Sequence, residues 1–177
     1  CLAHSGPIFH MVTNAMDQGV ASMTAATILG ISGLASLGGR VVSGLAADRW
    51  GARRTLIATL SLQAPAIFLY FFTGSAASFY ALAIMFGASY GAVMPMYALL
   101  TREYFGAKAM GTAYGAIFML QAVGMGLGAY GGGWFYDHLG TYAWLFGSAA
   151  AVATAAILFA LPLRSPRALV APFAAAA

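Results

Sequence analysis

Long apolar stretches alternate with short polar breaks along almost the whole of this chain. The apolar stretches predict five full membrane spans and one partial span. Residues 1–13 form an apolar piece, with Pro7 inside it, that is too short to cross a membrane alone. Full spans are predicted at 20–47, 55–73, 77–101, 109–133 and 141–163. Each of these has about 19 residues or more, which is enough for a bilayer core of about 30 Å.

The polar breaks between these spans predict the loops. They are NAMDQG at 14–19, DRWGARR at 48–54, Gly74-Ser75, REYFGAK at 102–108 and WFYDHLG at 134–140. A short basic tail, RSPRALVAPFAAAA, is predicted at 164–177. Within lipid the backbone has to satisfy its own hydrogen bonds, so the spans are predicted to be helices. The fold class that follows is an all-α membrane protein.

Composition supports lipid as the solvent. The chain of 177 residues is 62% hydrophobic and only 7% charged, whereas a soluble domain has about 25% charged residues. The net charge of +4 does not indicate nucleic-acid binding, because the basic residues are spread over short loops. The one cysteine, Cys1, excludes a disulfide within the chain.

All basic residues but one fall in alternate loops and in the tail. These residues are Arg49, Arg53, Arg54, Arg102, Lys108, Arg164 and Arg167. The other loops contain Asp17, Asp137 and His138 but no Lys or Arg. Because basic loops remain on the cytoplasmic side, this sorting predicts that the loops at 48–54 and 102–108 and the C-terminus are cytoplasmic.

Arg40 is the exception, since it lies inside an apolar span. With the span ending at residue 47, it is expected about 10 Å below the cytoplasmic surface. Ser32, Ser36, Gly44 and Asp48 are predicted to share its helix face, which favours a protein interior or a water-filled cavity. No Asp or Glu lies within the apolar spans to neutralise it. Such a guanidinium is suited to binding an anion, preferably a carboxylate. The alternatives are that Arg40 reaches toward the cytoplasm or pairs with a carboxylate outside this chain.

Small residues repeat every four positions in three places. Gly124, Gly128 and Gly132 form one series, Gly111 and Gly115 a second, and Gly87, Gly91 and Pro95 a third. This spacing predicts close helix packing in lipid, on faces that also suit sliding or bending helices.

The segment GLAADRWGARR at 44–54, here called the signature loop, carries the most specific motif. Its residues fit the pattern G-x-x-x-D-R-x-G-x-R-R; they are Gly44, Asp48, Arg49, Gly51, Arg53 and Arg54. Gly44 is expected to permit a close helix contact, Gly51 to allow a tight turn, and Asp48 to cap a helix or pair with an arginine. This segment resembles the signature loop of the major facilitator superfamily, which follows the second helix of each six-helix half. The resemblance implies a conformational latch.

The resemblance extends along the whole chain. The stretches HMVTNAMDQG at 10–19, LGGRVVSGLAADRWGARR at 37–54, REYFGAKAMGTAYG at 102–115 and GGGWFYDHLGTYAWLF at 131–146 are similar to the C-terminal half of bacterial members of the monocarboxylate and oxalate/formate branch. This implies that residues 1–177 form a C-terminal six-helix repeat, from the end of helix 7 to helix 12. A missing N-terminal half and a bacterial inner-membrane location follow from the same resemblance.

In that branch an arginine on helix 8 contacts the anionic substrate, and the resemblance places Arg40 there. Eukaryotic monocarboxylate carriers have an Asp one turn earlier, where this chain has Ser36. The oxalate/formate antiporter has a Lys in helix 11, whereas this helix has Gln121 as its only amide. One positive charge in this half favours a monovalent anion.

Other candidates for substrate contact follow from helical spacing. Tyr90 and Tyr97 are predicted to share a face around Pro95, and Tyr114 and Gln121 to share a face of the next span. Tyr and Gln hydrogen-bond ligand oxygens, although such stripes also serve simple packing. His4 and His10 are candidates for proton transfer near neutral pH. His4 and His10 lie on different helix faces, so no metal site is predicted.

The function predicted from the sequence is secondary transport of a small organic anion, a monocarboxylate, by alternating access. Proton symport and anion exchange both remain open, with symport favoured by the resemblance. No enzyme activity and no cofactor are predicted. The alternative is a rhomboid-type intramembrane serine protease, since Gly30-Ile31-Ser32-Gly33 matches its G-x-S-G motif. That enzyme needs a later intramembrane histidine, and here only His138 follows, in a loop.

Overall fold

The computed structural model describes residues 1–163, and the predicted basic tail at 164–177 lies outside the described residues. The elements in chain order are α1 (Leu2–Asp17), α2 (Ser22–Trp50), α3 (Ala52–Leu69), a 3₁₀ turn (Tyr70–Phe72), α4 (Ala76–Leu139) and α5 (Ala143–Ala160). The all-α fold is therefore confirmed. Helices α2, α4 and α5, and α3 with its 3₁₀ turn, are long and apolar enough to cross a membrane.

Helix α4 is divided at Gly106. This residue has φ 73° and ψ 170°, which is not helical. As one straight helix, 64 residues would extend for roughly 96 Å, about three times the thickness of a bilayer core. Instead Tyr97, before the break, and Gln121, after it, line one groove. The two arms of α4, residues 76–105 and 107–139, therefore lie side by side as two spans.

The predicted loops are much longer than the observed turns. Helix α2 continues to Trp50, α3 begins at Ala52, and Gly51 alone connects them with φ 87°. Helix α1 continues to Asp17, and the second arm of α4 continues to Leu139. The predictions of loops at 14–19, 48–54, 102–108 and 134–140 were wrong in extent. Charged side chains can project into water from the end of a helix, so their polarity does not require the backbone to leave it.

The tightest contact in the fold joins α2 to the first arm of α4. A Cβ atom placed on Gly87 or Gly91 would overlap the carbonyl oxygen of Ser32 or Ser36, and one on Gly39 would overlap the carbonyl oxygen of Ala88. The predicted close packing at Gly87 and Gly91 is thus confirmed.

The second arm of α4 makes its own close contacts, with α1. Gly128 lies against Ser5 and Gly132 against the ring of His10, as the glycine repeat predicts. A Cβ atom on Gly111 or Gly115, in contrast, would meet nothing within 4 Å. The close packing predicted for that pair does not occur in residues 1–163.

The turns gather at two opposite ends of the bundle. At one end the Arg53 guanidinium donates a 2.6 Å hydrogen bond to the carbonyl of Leu161, and Glu103 lines a pocket with the signature loop. At the other end Tyr136 lies near Asp17 and stacks on Tyr142. Arg49, Arg53, Arg54, Arg102 and Lys108 therefore share one end, as the charge sorting predicts.

Candidate functional site

Arg40 borders a groove between α1, α2 and the first arm of α4. The groove has a cavity volume of about 320 Å³, and its polar side chains are Arg40, Ser32, Ser36 and Tyr90. Ile8, Leu29 and Leu37 supply most of its apolar wall. The structure thus brings together three of the predicted substrate contacts: Arg40, Ser36 and Tyr90.

Arg40 is exposed, and within residues 1–163 its guanidinium has no hydrogen-bond or ion-pair partner. Helix α2 ends at Trp50, so Arg40 lies about 15 Å from the helix end. The last turn carries Asp48, Arg49 and Trp50, which belong at the membrane surface, so the predicted depth of about 10 Å for Arg40 stays a prediction. An unpaired guanidinium inside an apolar helix is suited to binding an anion.

The stripe predicted on the face of Arg40 divides into two parts. Ser32 and Ser36 are buried against Gly87 and Gly91, whereas Arg40 and Asp48 are exposed. Burial of Ser32 and Ser36 agrees with the predicted protein interior, since close packing on α4 occupies the first two turns of the stripe. The backbone of Ser36 is held in that contact, and its side chain lies at the edge of the groove.

Tyr97 and Gln121 line a second groove of about 270 Å³ between the N-terminus of α1 and the two arms of α4. The Nε2 atom of Gln121 is buried and has no hydrogen-bond partner among the described residues. Tyr90 and Tyr97, predicted to share a face, therefore border different grooves. Tyr114 is half-buried on the second arm of α4 and lines neither groove.

His10 connects two helices and does not line either groove. Its Nε2 atom is 2.9 Å from the carbonyl oxygen of Ala129, which can only accept, so the histidine donates. The ring also lies 5.2 Å from that of Tyr142. The sequence does not predict this bond, because 119 residues separate His10 from Ala129.

His4, which the sequence predicts with His10 as a residue that takes protons, is buried. It is 2% exposed, its ring contacts that of Tyr90 edge-on at 4.7 Å, and its Nε2 atom has no partner among the described residues. Tyr90 thus lies between His4 and the Arg40 groove. In the sequence, His4 stands in an apolar segment, four residues before the groove residue Ile8.

The signature loop forms a polar pocket at the basic end. Its cavity volume is about 340 Å³, and its charged lining residues are Asp48, Arg49, Arg53, Arg54 and Glu103. No ion pair joins the arginines to the two carboxylates in residues 1–163. The sequence analysis did not identify Glu103 as a site residue, although Glu103 and Asp48 are the two acidic residues at this end.

Two expectations for the signature loop differ from the structure. A Cβ atom on Gly44 would meet nothing within 4 Å, so the close helix contact predicted there does not occur within residues 1–163; Gly39, on a different face of α2, makes the contact with α4. Asp48 does not cap α3, whose N-terminus has no side-chain cap. Gly51 does form the predicted tight turn, with φ 87°.

Ser32 of the G-x-S-G motif is buried where α2 crosses α4, and it has no hydrogen bond to a histidine within the described residues. No nucleophile–base pair is therefore present there, and no finding supports the protease alternative.

Comparisons with known proteins agree with this architecture. Residues 3–176 match the family model of the Major Facilitator Superfamily. Monocarboxylate transporter 13 of Rattus norvegicus is 28% identical to this chain over 160 residues, which cover 88% of this chain and 37% of that protein. The chain thus spans little more than a third of the length of this curated relative.

Proposed function

Because the chain belongs to the major facilitator superfamily, a family of membrane transporters, we propose that it is the C-terminal half of a carrier for a small organic anion. The carrier moves a monocarboxylate by alternating access, together with an N-terminal half that completes the central cavity. The similarity to a monocarboxylate transporter supports this substrate class. The basic end lies in the cytoplasm of a bacterium, and the carrier in its inner membrane.

The observation that carries this proposal is the unpaired guanidinium of Arg40, which lines the same groove as Tyr90. A guanidinium offers two parallel N–H donors that match the two oxygens of a carboxylate. Tyr90 adds a hydroxyl donor for a third oxygen, and the apolar residues of the groove accommodate a short carbon chain. Arg40 is the one basic residue within the described helices away from their ends, which favours an anion with one negative charge.

Gln121 and Tyr97 form the second contact region of the same substrate cavity. The amide of Gln121 is a donor without an acceptor among the described residues, and leaving it so costs about 1–3 kcal/mol. A substrate oxygen that reaches the second groove during the transport cycle satisfies this amide. Tyr114 acts indirectly in this proposal, through the packing of the second arm of α4, whereas His10 is a candidate for carrying a coupled proton.

The substrate class is tested with the complete carrier in proteoliposomes. Uptake of radiolabelled lactate is measured in competition with pyruvate, acetate, oxalate, succinate and uncharged propionamide. Monocarboxylates are expected to compete at least tenfold better than succinate or propionamide. Equal competition by propionamide would refute an anion carrier, and preference for oxalate or succinate would refute the monocarboxylate assignment.

A further inference from the structure

A second apolar groove lies away from the Arg40 groove. It has a cavity volume of about 440 Å³ and is bounded by α2, α3 and the first arm of α4. Its floor consists mainly of small side chains; examples are Gly38, Gly39, Ala46, Ala58, Ala88 and Ala92. Larger exposed side chains form its rim: Val42, Leu62 and Ile84. We call it the α2–α3–α4 groove.

The two grooves lie on opposite sides of the contact between α2 and α4. Helix α1 closes the Arg40 groove through Ile8, whereas α3 closes the α2–α3–α4 groove through Ala58 and Leu62. A carrier with its substrate between two halves uses the side on which Arg40 lies. The α2–α3–α4 groove therefore faces the lipid.

Trp50 joins this groove to the polar pocket of the signature loop. Its side chain is 64% exposed and lines both cavities. An indole at the end of a membrane helix lies at the level of lipid headgroups. From Ala35 to Trp50 the groove follows α2 for roughly 22 Å, which exceeds the half-thickness of the bilayer core, about 15 Å. An acyl chain of one leaflet fits along it.

The polar pocket supplies charge at the headgroup level. Three arginines and two carboxylates line the pocket, so these side chains carry a net charge of +1. Within residues 1–163 the arginines form no ion pair with a carboxylate. Arg49 and Arg54 are both exposed, while Arg53 is directed to the carbonyl of Leu161. A phosphate group is the anion that arginine binds most readily at this position.

We propose that this surface binds one anionic phospholipid, with an acyl chain in the α2–α3–α4 groove and its phosphate beside Arg49 and Arg54. The lipid contacts the Gly51 turn and the two helices that it joins. Its binding links the composition of the inner leaflet to the position of the signature loop.

The test measures lipid binding to the complete, delipidated carrier by native mass spectrometry. Phosphatidylglycerol and phosphatidylcholine with identical acyl chains are the probes. Phosphatidylglycerol is expected to bind about tenfold more tightly. The double variant Arg49→Gln/Arg54→Gln is expected to remove that preference, and Lys108→Gln, at the same end but outside the pocket, to keep it. An unchanged preference in the double variant would overturn the headgroup site.

The groove is tested by filling it. A Cβ atom on Gly38 meets nothing within 4 Å, so Gly38→Leu enters the groove without a backbone clash. Ala58→Phe fills it from α3, and Gly30→Leu is the matched control, on the same helix but outside the groove. Both filling variants are expected to weaken the binding of both lipids at least fivefold. The control is expected to leave the binding of both lipids unchanged.

Three results would overturn the proposal. Full lipid binding in both filled variants would place the acyl chain elsewhere. Complete displacement of phosphatidylglycerol by millimolar inorganic phosphate would show a phosphate site without a lipid. Lower thermal stability of the filled variants with unchanged lipid binding would assign the groove to contact with the rest of the polypeptide.

Discussion

The backbone of Gly91 lies directly against the carbonyl of Ser36, one helical turn from Arg40. Since Tyr90 is the neighbour of Gly91 in sequence, this contact fixes the distance between Tyr90 on α4 and Arg40 on α2. The geometry of the Arg40 groove thus depends on the absence of a side chain at one position.

We expect Gly91→Ala to move α2 away from α4. The added methyl group overlaps backbone, which cannot rotate aside, so the cost is about 1–3 kcal/mol of stability. A thermal-shift assay of the purified carrier is expected to show a lower Tm, with reduced uptake. Gly115→Ala is the control, since its Cβ meets nothing within 4 Å. Equal Tm values for both variants would contradict the close contact.

We expect Arg40→Ala to abolish saturable uptake while the carrier still inserts, because the anion loses its charged donor. Arg40→Lys keeps the charge but loses the planar pair of donors, and is expected to raise KM about tenfold. Initial rates over a range of lactate concentrations, with expression checked by immunoblot, measure both effects. Normal saturable uptake by Arg40→Ala would falsify the role of this arginine.

Orientation is tested by single cysteines in a Cys1→Ser background. Cysteine at Arg53 or Lys108 is expected to resist an impermeant maleimide in intact cells, and cysteine at His138 to react, because we propose that the basic end is cytoplasmic. Permeabilised cells, in which all three should react, are the control. Labelling of intact cells at 53 or 108 would reverse the topology.

Asp48→Asn is expected to slow exchange between conformations and to leave substrate affinity almost unchanged. Asp48 lies in the polar pocket, about 12 Å along α2 from Arg40, and lines no part of the Arg40 groove. Transport rate and equilibrium substrate binding are measured separately, with Asp137→Asn at the opposite end as the control. A large loss of affinity with a normal rate would disprove the latch.

Coupling is expected to be proton symport. All four carboxylates of the chain lie at helix ends, so this half offers no mid-membrane carboxylate to carry the proton. The substrate's own carboxylate, His10 or the N-terminal half carries it instead. Proteoliposomes without internal substrate are expected to accumulate lactate when the outside is made acidic. Uptake that requires preloading with a second anion would establish exchange.

The sequence predicted the helices well, because continuous apolar runs have few alternatives in lipid. It also predicted the turn at Gly51 and the common end of the basic loops. It overestimated the loops, since polar residues at 102–108 and 134–140 indicate water but not a non-helical backbone. The break in α4 needs only one residue, Gly106. Because the chain has 22 glycines, a single glycine does not by itself predict where a helix breaks.

The candidate site was predicted only in part. Helical spacing correctly grouped Ser36 and Arg40 on one helix, but it could not show that Ser36 packs on Gly91. The position of one helix around its neighbour depends on contacts between distant residues. For the same reason the sequence could not show that His10 donates to Ala129 or that His4 packs on Tyr90. The proton roles predicted for the two histidines stay predictions.

The one-residue turn at Gly106 also bears on how the protein is made. With no free linker between the arms of α4, we expect the two arms to enter the membrane together as a helical hairpin. Arg102 and Lys108, on either side of the glycine, are expected to hold its tip in the cytoplasm. An insertion at this turn is expected to harm biosynthesis before it harms transport.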